Sequence, residues 1–232
     1  MSWFPQDPQP LLQATLLLAT GLVLGMRHAF DRDHVAAVTH FISLEPDPLK
    51  SAWFGFRWAL GHGVTVLVLG SVILLLQLKF DPSFERYAEL AVGVTLIVLG
   101  IWRLLLLVQE RRHTHLHSHR KERHIHTHSH EPGREHVHRF APTLVGMVHG
   151  ASGTAELFVL IPITLISTTW LAYLYIALFS LGCALTMSIY GYVVGRFYRR
   201  ANQTGQRIYR TLVVLTSTSG LILGLVWILK NL

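Results

Sequence analysis

Gly25-Met26-Arg27-His28-Ala29-Phe30-Asp31-Arg32-Asp33-His34-Val35 sits inside an apolar run that begins near Leu11 and resumes from Val35 to Leu44. A hydrocarbon core of roughly 30 Å takes about 20 helical residues, so the run is long enough to cross a membrane. Its middle nevertheless carries Arg27, Asp31, Arg32 and Asp33 together with two histidines. A central carboxylate costs about 2.5 to 3.5 kcal/mol on insertion scales and usually faces a cavity, a partner or an ion pathway. Interrupted backbone is tolerated at membrane depth only where protein or a cavity surrounds it. The stretch therefore predicts a broken membrane helix, and with it an all-α polytopic membrane protein.

Composition agrees with that reading. The 232 residues are 51% hydrophobic and 14% charged, against about 25% charged in an average soluble domain, which excludes a soluble enzyme. Residues 110–139 hold 11 of the 33 charged residues and 10 of the 15 histidines, so the rest is more apolar still. Six stretches are long enough to span: about 11–44, 52–78, 86–109, 140–168, 170–195 and 207–229. The run before Met26 has no basic leader region and no small-residue cleavage pattern, and is read as a retained helix.

The fourth stretch resembles the first. It runs Leu144-Val145-Gly146-Met147-Val148-His149-Gly150-Ala151-Ser152-Gly153-Thr154-Ala155-Glu156 before it turns apolar again. Laying residue n on residue n+121 places Gly25-Met26-x-His28 on Gly146-Met147-x-His149, and Leu60-Gly61-His62-x-x-Thr65 on Leu181-Gly182-Cys183-x-x-Thr186. Weak internal symmetry of this kind marks transporter halves. The expected organisation is a first three-helix repeat over 1–109, a histidine-rich loop over 110–139 and a second three-helix repeat over 140–232. Three spans per half is an odd number, so the repeats are inverted. The first and fourth helices are broken, and the substrate site lies between them near the midplane.

Charge gives orientation. The formal excess of +7 would suggest nucleic acid if spread over a soluble fold, but in a membrane body it records topology, and no nucleic-acid partner is expected. Seven Lys or Arg lie in 110–139, and Arg196, Arg199, Arg200, Arg207 and Arg210 cluster between the last two spans. Both segments are predicted to be cytoplasmic, with both termini outside and only Lys79, Arg86 and Lys230 on the outer side of the cell (inner) membrane. The lone Cys183 allows no intramolecular disulfide and excludes thiol relay chemistry.

His28, His34, His62 and His149 fall in or beside spans together with Asp31, Asp33, Glu156 and Cys183. Imidazole and carboxylate, with or without thiolate, suit late first-row divalent metals such as nickel, cobalt, zinc and copper, whereas magnesium and calcium prefer oxygen throughout. In an unbroken helix His28 and Asp33 would lie about 140° apart, so one ion touches His28, Asp33 and His34 together only if the helix unwinds. The competing arrangement is a salt-bridge cluster of Arg27 and Arg32 with Asp31 and Asp33. Glycines flank His62, allowing another backbone to approach, and Glu156 falls in the first turn of the resumed helix, where the macrodipole favours a carboxylate. Met147, Cys183 and His40 are weaker candidates.

His113, His115, His117, His119, His124, His126, His128, His130, His136 and His138 alternate with other residues over 26 positions. A period of two fits no single helical face, and Pro132-Gly133 interrupts it. The segment reads as a solvated loop that binds metal through shifting sets of imidazoles, or as a basic loop that touches anionic lipid.

Arg27-His28-Ala29-Phe30-Asp31-Arg32-Asp33-His34 resembles the HxxxxDH motif of the nickel/cobalt transporter family, and Leu60-Gly61-His62-Gly63 resembles its glycine-flanked histidine motif. The resemblance implies that His28, Asp33 and His34 select and pass the ion, with His62 nearby. Members of that family commonly carry an Asp-Thr-Ala-Thr-Glu motif in the later half. Here Ser152-Gly153-Thr154-Ala155-Glu156 lacks the Asp, the spans are fewer, and the long histidine loop is similar to that of related metal exporters.

The expected function is a permease for Ni2+ or Co2+ as substrate, with no cofactor and no enzymatic reaction. Uptake is favoured because an inside-negative potential of 100 mV contributes about 4.6 kcal/mol for a divalent cation moving inward. The alternatives are proton-coupled efflux, with Asp31, Asp33 and Glu156 as carriers, and a haem-binding membrane cytochrome ligated by the histidines. An intramembrane metalloprotease is a third alternative, for which the sequence has no HExxH pair. A cytoplasmic metallochaperone is a further partner consistent with the loop. Oligomeric state is not legible.

Overall fold

The computed structural model describes residues 8–76, 82–110, 134–152 and 168–232, and among these every regular element is helical. They are α1 (Pro8–His28), α2 (Arg32–Ile42), α3 (Pro48–Leu76), α4 (Pro82–Glu110), α5 (Arg134–His149), α6 (Thr169–Thr204) and α7 (Gln206–Asn231). Proline opens α1, α3 and α4, at the one helical position where its missing N–H costs nothing. Asp47 caps α3, its Oδ1 accepting from the Leu49 and Lys50 amides at 3.1 and 3.0 Å. Four helices are individually long and apolar enough to cross a membrane: Pro48–Leu76, Ser83–Gln109, Thr169–Thr204 and Gln206–Asn231. Their outward faces carry exposed large apolar side chains such as Leu60, Val64, Val98, Leu185 and Leu225. The chain is an integral membrane protein.

The first apolar stretch is broken where its charges lie. The last α-type bond of α1 runs from the Ala29 amide to the Gly25 carbonyl. The chain then tightens into two i→i−3 bonds, Phe30 to Arg27 and Asp31 to His28. Asp31 is extended, with φ −60° and ψ 144°, and α2 follows. The end of α5 repeats this exit at positions 121 residues on: Gly150 bonds Gly146, then Ala151 bonds Val148 and Ser152 bonds His149. The expected resumption of the fourth helix, including Glu156, lies outside the described residues.

Close helix contacts follow the same offset. The Gly25 backbone lies against the Phe179 carbonyl and Gly146 against the Trp58 carbonyl. Gly182 meets Leu22 and Met26, and Gly61 meets Thr143 and Met147. In each pair the second contact is the first with the two halves exchanged. A Cβ at any of these glycines would overlap backbone, so only glycine permits the approach. The registers also give directions. Contacts of α1 with α6, and of α5 with α3, advance together along both chains, so these pairs run parallel. Gly55 on Met187 with Gly191 on Ser51 makes α3 and α6 antiparallel, and Gly93 on Gly224 with Gly100 on Leu221 does the same for α4 and α7.

Helix bounds depart from the apolar stretches, most at two places: α5 begins at Arg134, inside the segment 110–139 expected to be a loop, and α6 runs past its stretch. The fifth stretch was expected over 170–195, whereas α6 continues to Thr204 through Arg196, Arg199 and Arg200. Its 36 residues span about 54 Å, so the polar final turns extend beyond a hydrocarbon core. Hydropathy marks the segment that lipid touches; the helix continues until Gly205. The first stretch is the expected broken helix, with α1 beginning at Pro8.

Candidate metal site

The break brings three imidazoles together. His28 closes α1, His34 lies in the first turn of α2, and His62 lies midway along α3. One nitrogen from each falls within 4.8 Å of the other two. His28 Nε2 and His62 Nε2 are 3.3 Å apart. Two nitrogens bound at about 2.0 to 2.1 Å to one tetrahedral ion would be separated by about 3.4 Å, so this pair is already at chelating distance. The ring centroids of His28 and His34 are 4.5 Å apart, and those of His34 and His62 are 5.2 Å apart.

Carboxylates stand behind and beside the trio. Asp31 Oδ2 lies 2.8 Å from His28 Nδ1. Because a carboxylate accepts, His28 presents Nε2 towards His62, the orientation usual in metal-bound histidines. Asp33 Oδ2 is 3.5 Å from His34 Nε2 and 4.0 Å from His149 Nε2, and so lies between the trio and the fourth histidine. The carboxylates face imidazoles, and the salt-bridge cluster with Arg27 and Arg32 does not form among the described residues.

His149 is fully buried, with Nδ1 2.9 Å from the Val145 carbonyl. A carbonyl only accepts, so Nδ1 donates and Nε2 of the neutral ring keeps its lone pair. That nitrogen has no hydrogen-bond partner, and neither has His34 Nδ1. Both are among several buried polar atoms without a hydrogen-bond partner among the described residues, and they belong to rings in or beside the trio.

Two aromatic rings form the walls. Trp58 lies 4.6 Å from His34, 5.3 Å from His62 and 5.5 Å from His149 between ring centroids, and Phe179 lies 5.3 Å from His28. Trp58 with His149 and Phe179 with His28 are again related by the offset of 121. Sequence reading missed both rings, although Trp58 stands one helical turn before His62 and the offset leads from it to Phe179.

The remaining expected ligands fall elsewhere. Cys183 is buried in an apolar cluster with Ala29, Trp58 and Met187. Met147 is 40% exposed on the outer side of α5. His40 is buried lower on α2, bonded to the Ala36 carbonyl at 2.7 Å. Glu156 and the loop histidines 113–130 lie outside the described residues, as do the side chains of His136 and His138.

The chain has relatives among known proteins. The family model described as cytochrome C biogenesis protein transmembrane region matches residues 16–219. The urease accessory protein UreH of Bacillus sp. (strain TB-90) is 30% identical over 179 residues, which is 77% of this chain and 76% of that protein. The nickel transporter NixA of Staphylococcus aureus is 31% identical over 94 residues, 37% of this chain and 28% of that protein. The high-affinity nickel transport protein of Cupriavidus necator is 32% identical over 81 residues, 34% of this chain and 22% of that protein. The chain belongs to the nickel/cobalt transporter family. The match to the cytochrome C biogenesis protein transmembrane region covers most of the chain. No solved structure matches it.

Proposed function

We propose that this family member carries a divalent transition-metal ion, nickel or cobalt, across the membrane through a site made by His28, His34 and His62, with Asp33 and His149 as the next ligands along the path. The observation that carries this reading is the convergence of three imidazoles from three helical segments with two Nε2 atoms at chelating distance. A late first-row metal matches that donor set, and the names of the nickel-transporting relatives support nickel.

The paired contacts support six crossings arranged as two inverted three-helix repeats. In an alternating chain of six spans, the first and fifth run parallel, as do the second and fourth, while the second opposes the fifth and the third opposes the sixth. The registers described above have these directions. The axis relating the halves would pass close to Gly61 and Gly182, which would put the trio near the midplane. Basic residues orient the histidine loop inward and both termini outward, and the membrane potential then drives uptake at about 2.3 kcal/mol per charge per 100 mV. The loop would receive the ion and present it to cytoplasmic acceptors, a metallochaperone among them.

Haem ligation is the poorer reading. Axial nitrogens stand on opposite sides of the iron, about 4 Å apart with a macrocycle between them, whereas the His28 and His62 nitrogens lie closer. A Soret band in purified protein would restore it. The decisive measurement is flux of nickel, cobalt, zinc and manganese into proteoliposomes at an imposed inside-negative potential. Nickel or cobalt should enter the parent, and His28→Ala should not pass them. Equal flux in both would sink the mechanism, and flux only with an opposing proton gradient would establish the proton coupling that the efflux reading requires.

A further inference from the structure

Arg103 is fully buried within α4, one of the helices apolar enough to span. A guanidinium in such a place is costly unless its donors are met. They are met at Ser43. Arg103 Nε donates to Ser43 Oγ at 2.9 Å, and Nη2 donates to the Ser43 carbonyl at 2.9 Å and to the Tyr209 hydroxyl at 3.0 Å. Tyr209 donates to the same carbonyl at 2.7 Å. Ser43 is the residue that caps the C-terminus of α2, and its own hydroxyl donates to the His40 carbonyl at 2.8 Å. Two neighbouring helices, α4 and α7, thus hold the end of one half-helix. The charge suits the place, because the last carbonyls of a helix attract cations.

Eight of the 11 residues of α2 are buried among neighbouring helices, and this hold adds a fixed point at its end. At 11 residues α2 is shorter than the 12 to 15 or so that an isolated helix needs for even marginal stability. Chain breaks free it at both ends, and its first turn carries Asp33 and His34. His34 stands nine residues from Ser43, about 14 Å along the axis, so a tilt of about 10° at the Ser43 end displaces it by about 2.4 Å. Metal–ligand distances tolerate about 0.2 Å.

We infer that Arg103 is a positioning residue for the transported ion: through Ser43 it sets the height and tilt of α2, and thereby the reach of His34 towards His28 and His62. The inference rests on the proposed metal site. Its test uses the full chain purified in detergent and in proteoliposomes, with Arg103→Gln, Arg103→Lys, Tyr209→Phe and His28→Ala. Cobalt binding is followed by the visible spectrum of the bound ion, and nickel flux as KM and maximal rate.

In folded Arg103→Gln, cobalt should bind at least tenfold more weakly with an altered spectrum, and KM should rise more than the maximal rate falls. Arg103→Lys should recover part of this, because it restores the charge without the planar fork. Tyr209→Phe should shift both readouts a few-fold in the same direction. A parental spectrum and KM in the folded variants would overturn the inference, as would a loss confined to the yield of folded protein. If Arg103→Gln does not accumulate, parental behaviour in both Arg103→Lys and Tyr209→Phe overturns it equally. Parental cobalt binding in His28→Ala would instead remove the site reading itself; lost binding there beside parental Arg103 variants removes only the positioning role.

Discussion

His28 and His62 are 34 positions apart in sequence and 3.3 Å apart between their Nε2 atoms. One ends a helix and the other sits within the next long one, and the contact exists because α1 stops at His28. Had the helix continued, the histidines and carboxylates of the first motif would have fanned around its circumference.

The carboxylate behind His28 should tune the site without being essential to it. Asp31→Asn keeps the side-chain shape but weakens the hold on Nδ1. Partners of this kind typically change metal affinity 10- to 100-fold. Calorimetric titration with nickel should find that loss for Asp31→Asn and no measurable binding for His28→Ala. An Asp31→Asn protein as tight as the parent would mean that the bond at Nδ1 does not orient the ring.

Gly25→Ala and Gly146→Ala should be equivalent injuries. Each drives a methyl into the backbone of a neighbouring helix, against Phe179 and Trp58 respectively, and overpacking of this kind costs about 1 to 3 kcal/mol or more. Thermal unfolding in detergent should show both variants lowered by similar amounts, with nickel flux reduced. Gly205→Ala, where a Cβ meets nothing within 4 Å, should unfold with the parent.

Trp58 should report occupancy. It is one of six tryptophans, and its ring lies 4.6 Å from that of His34. Paramagnetic nickel or cobalt at the trio should quench its fluorescence, and Trp58→Phe should remove most of the quench while leaving binding by calorimetry nearly intact. A quench that survives the substitution would locate the ion elsewhere.

Deleting residues 113–138 should lower the number of ions bound per chain without abolishing flux, because the loop is proposed to collect ions and the buried histidines to pass them. Loss of flux together with a harmless His28→Ala would reverse that division of labour.

The break at 27–34 was legible because charge inside an apolar run has few solutions, and the offset of 121 was legible in glycines and histidines alone. Geometry then sharpened both: the offset reappears in turn bonds and helix contacts that no hydropathy pattern records. What stayed hidden has a common cause. The ring of Trp58 reads as one more apolar residue, and Arg103 reads as a stray charge in a run of leucines, since their roles lie in what they face across helix interfaces. The length of α6 was hidden because apolar character ends where lipid ends, while its hydrogen-bonded ladder continues through three arginines to Gly205.

The described parts of the two proposed halves share turn bonds and helix contacts at the offset of 121 and differ in chemistry. Where the first half has Asp33, His34 and His62, the second has Thr154, Ala155 and Cys183 at the equivalent sequence positions. If the halves exchange shapes during transport, the scaffold offers two states related by a pseudo-two-fold rotation, but the proposed ligands travel with one half only. The ion is then gripped differently in the two states, and a nearly symmetric machine acquires an unequal pair of end points, one suited to capture and the other to release.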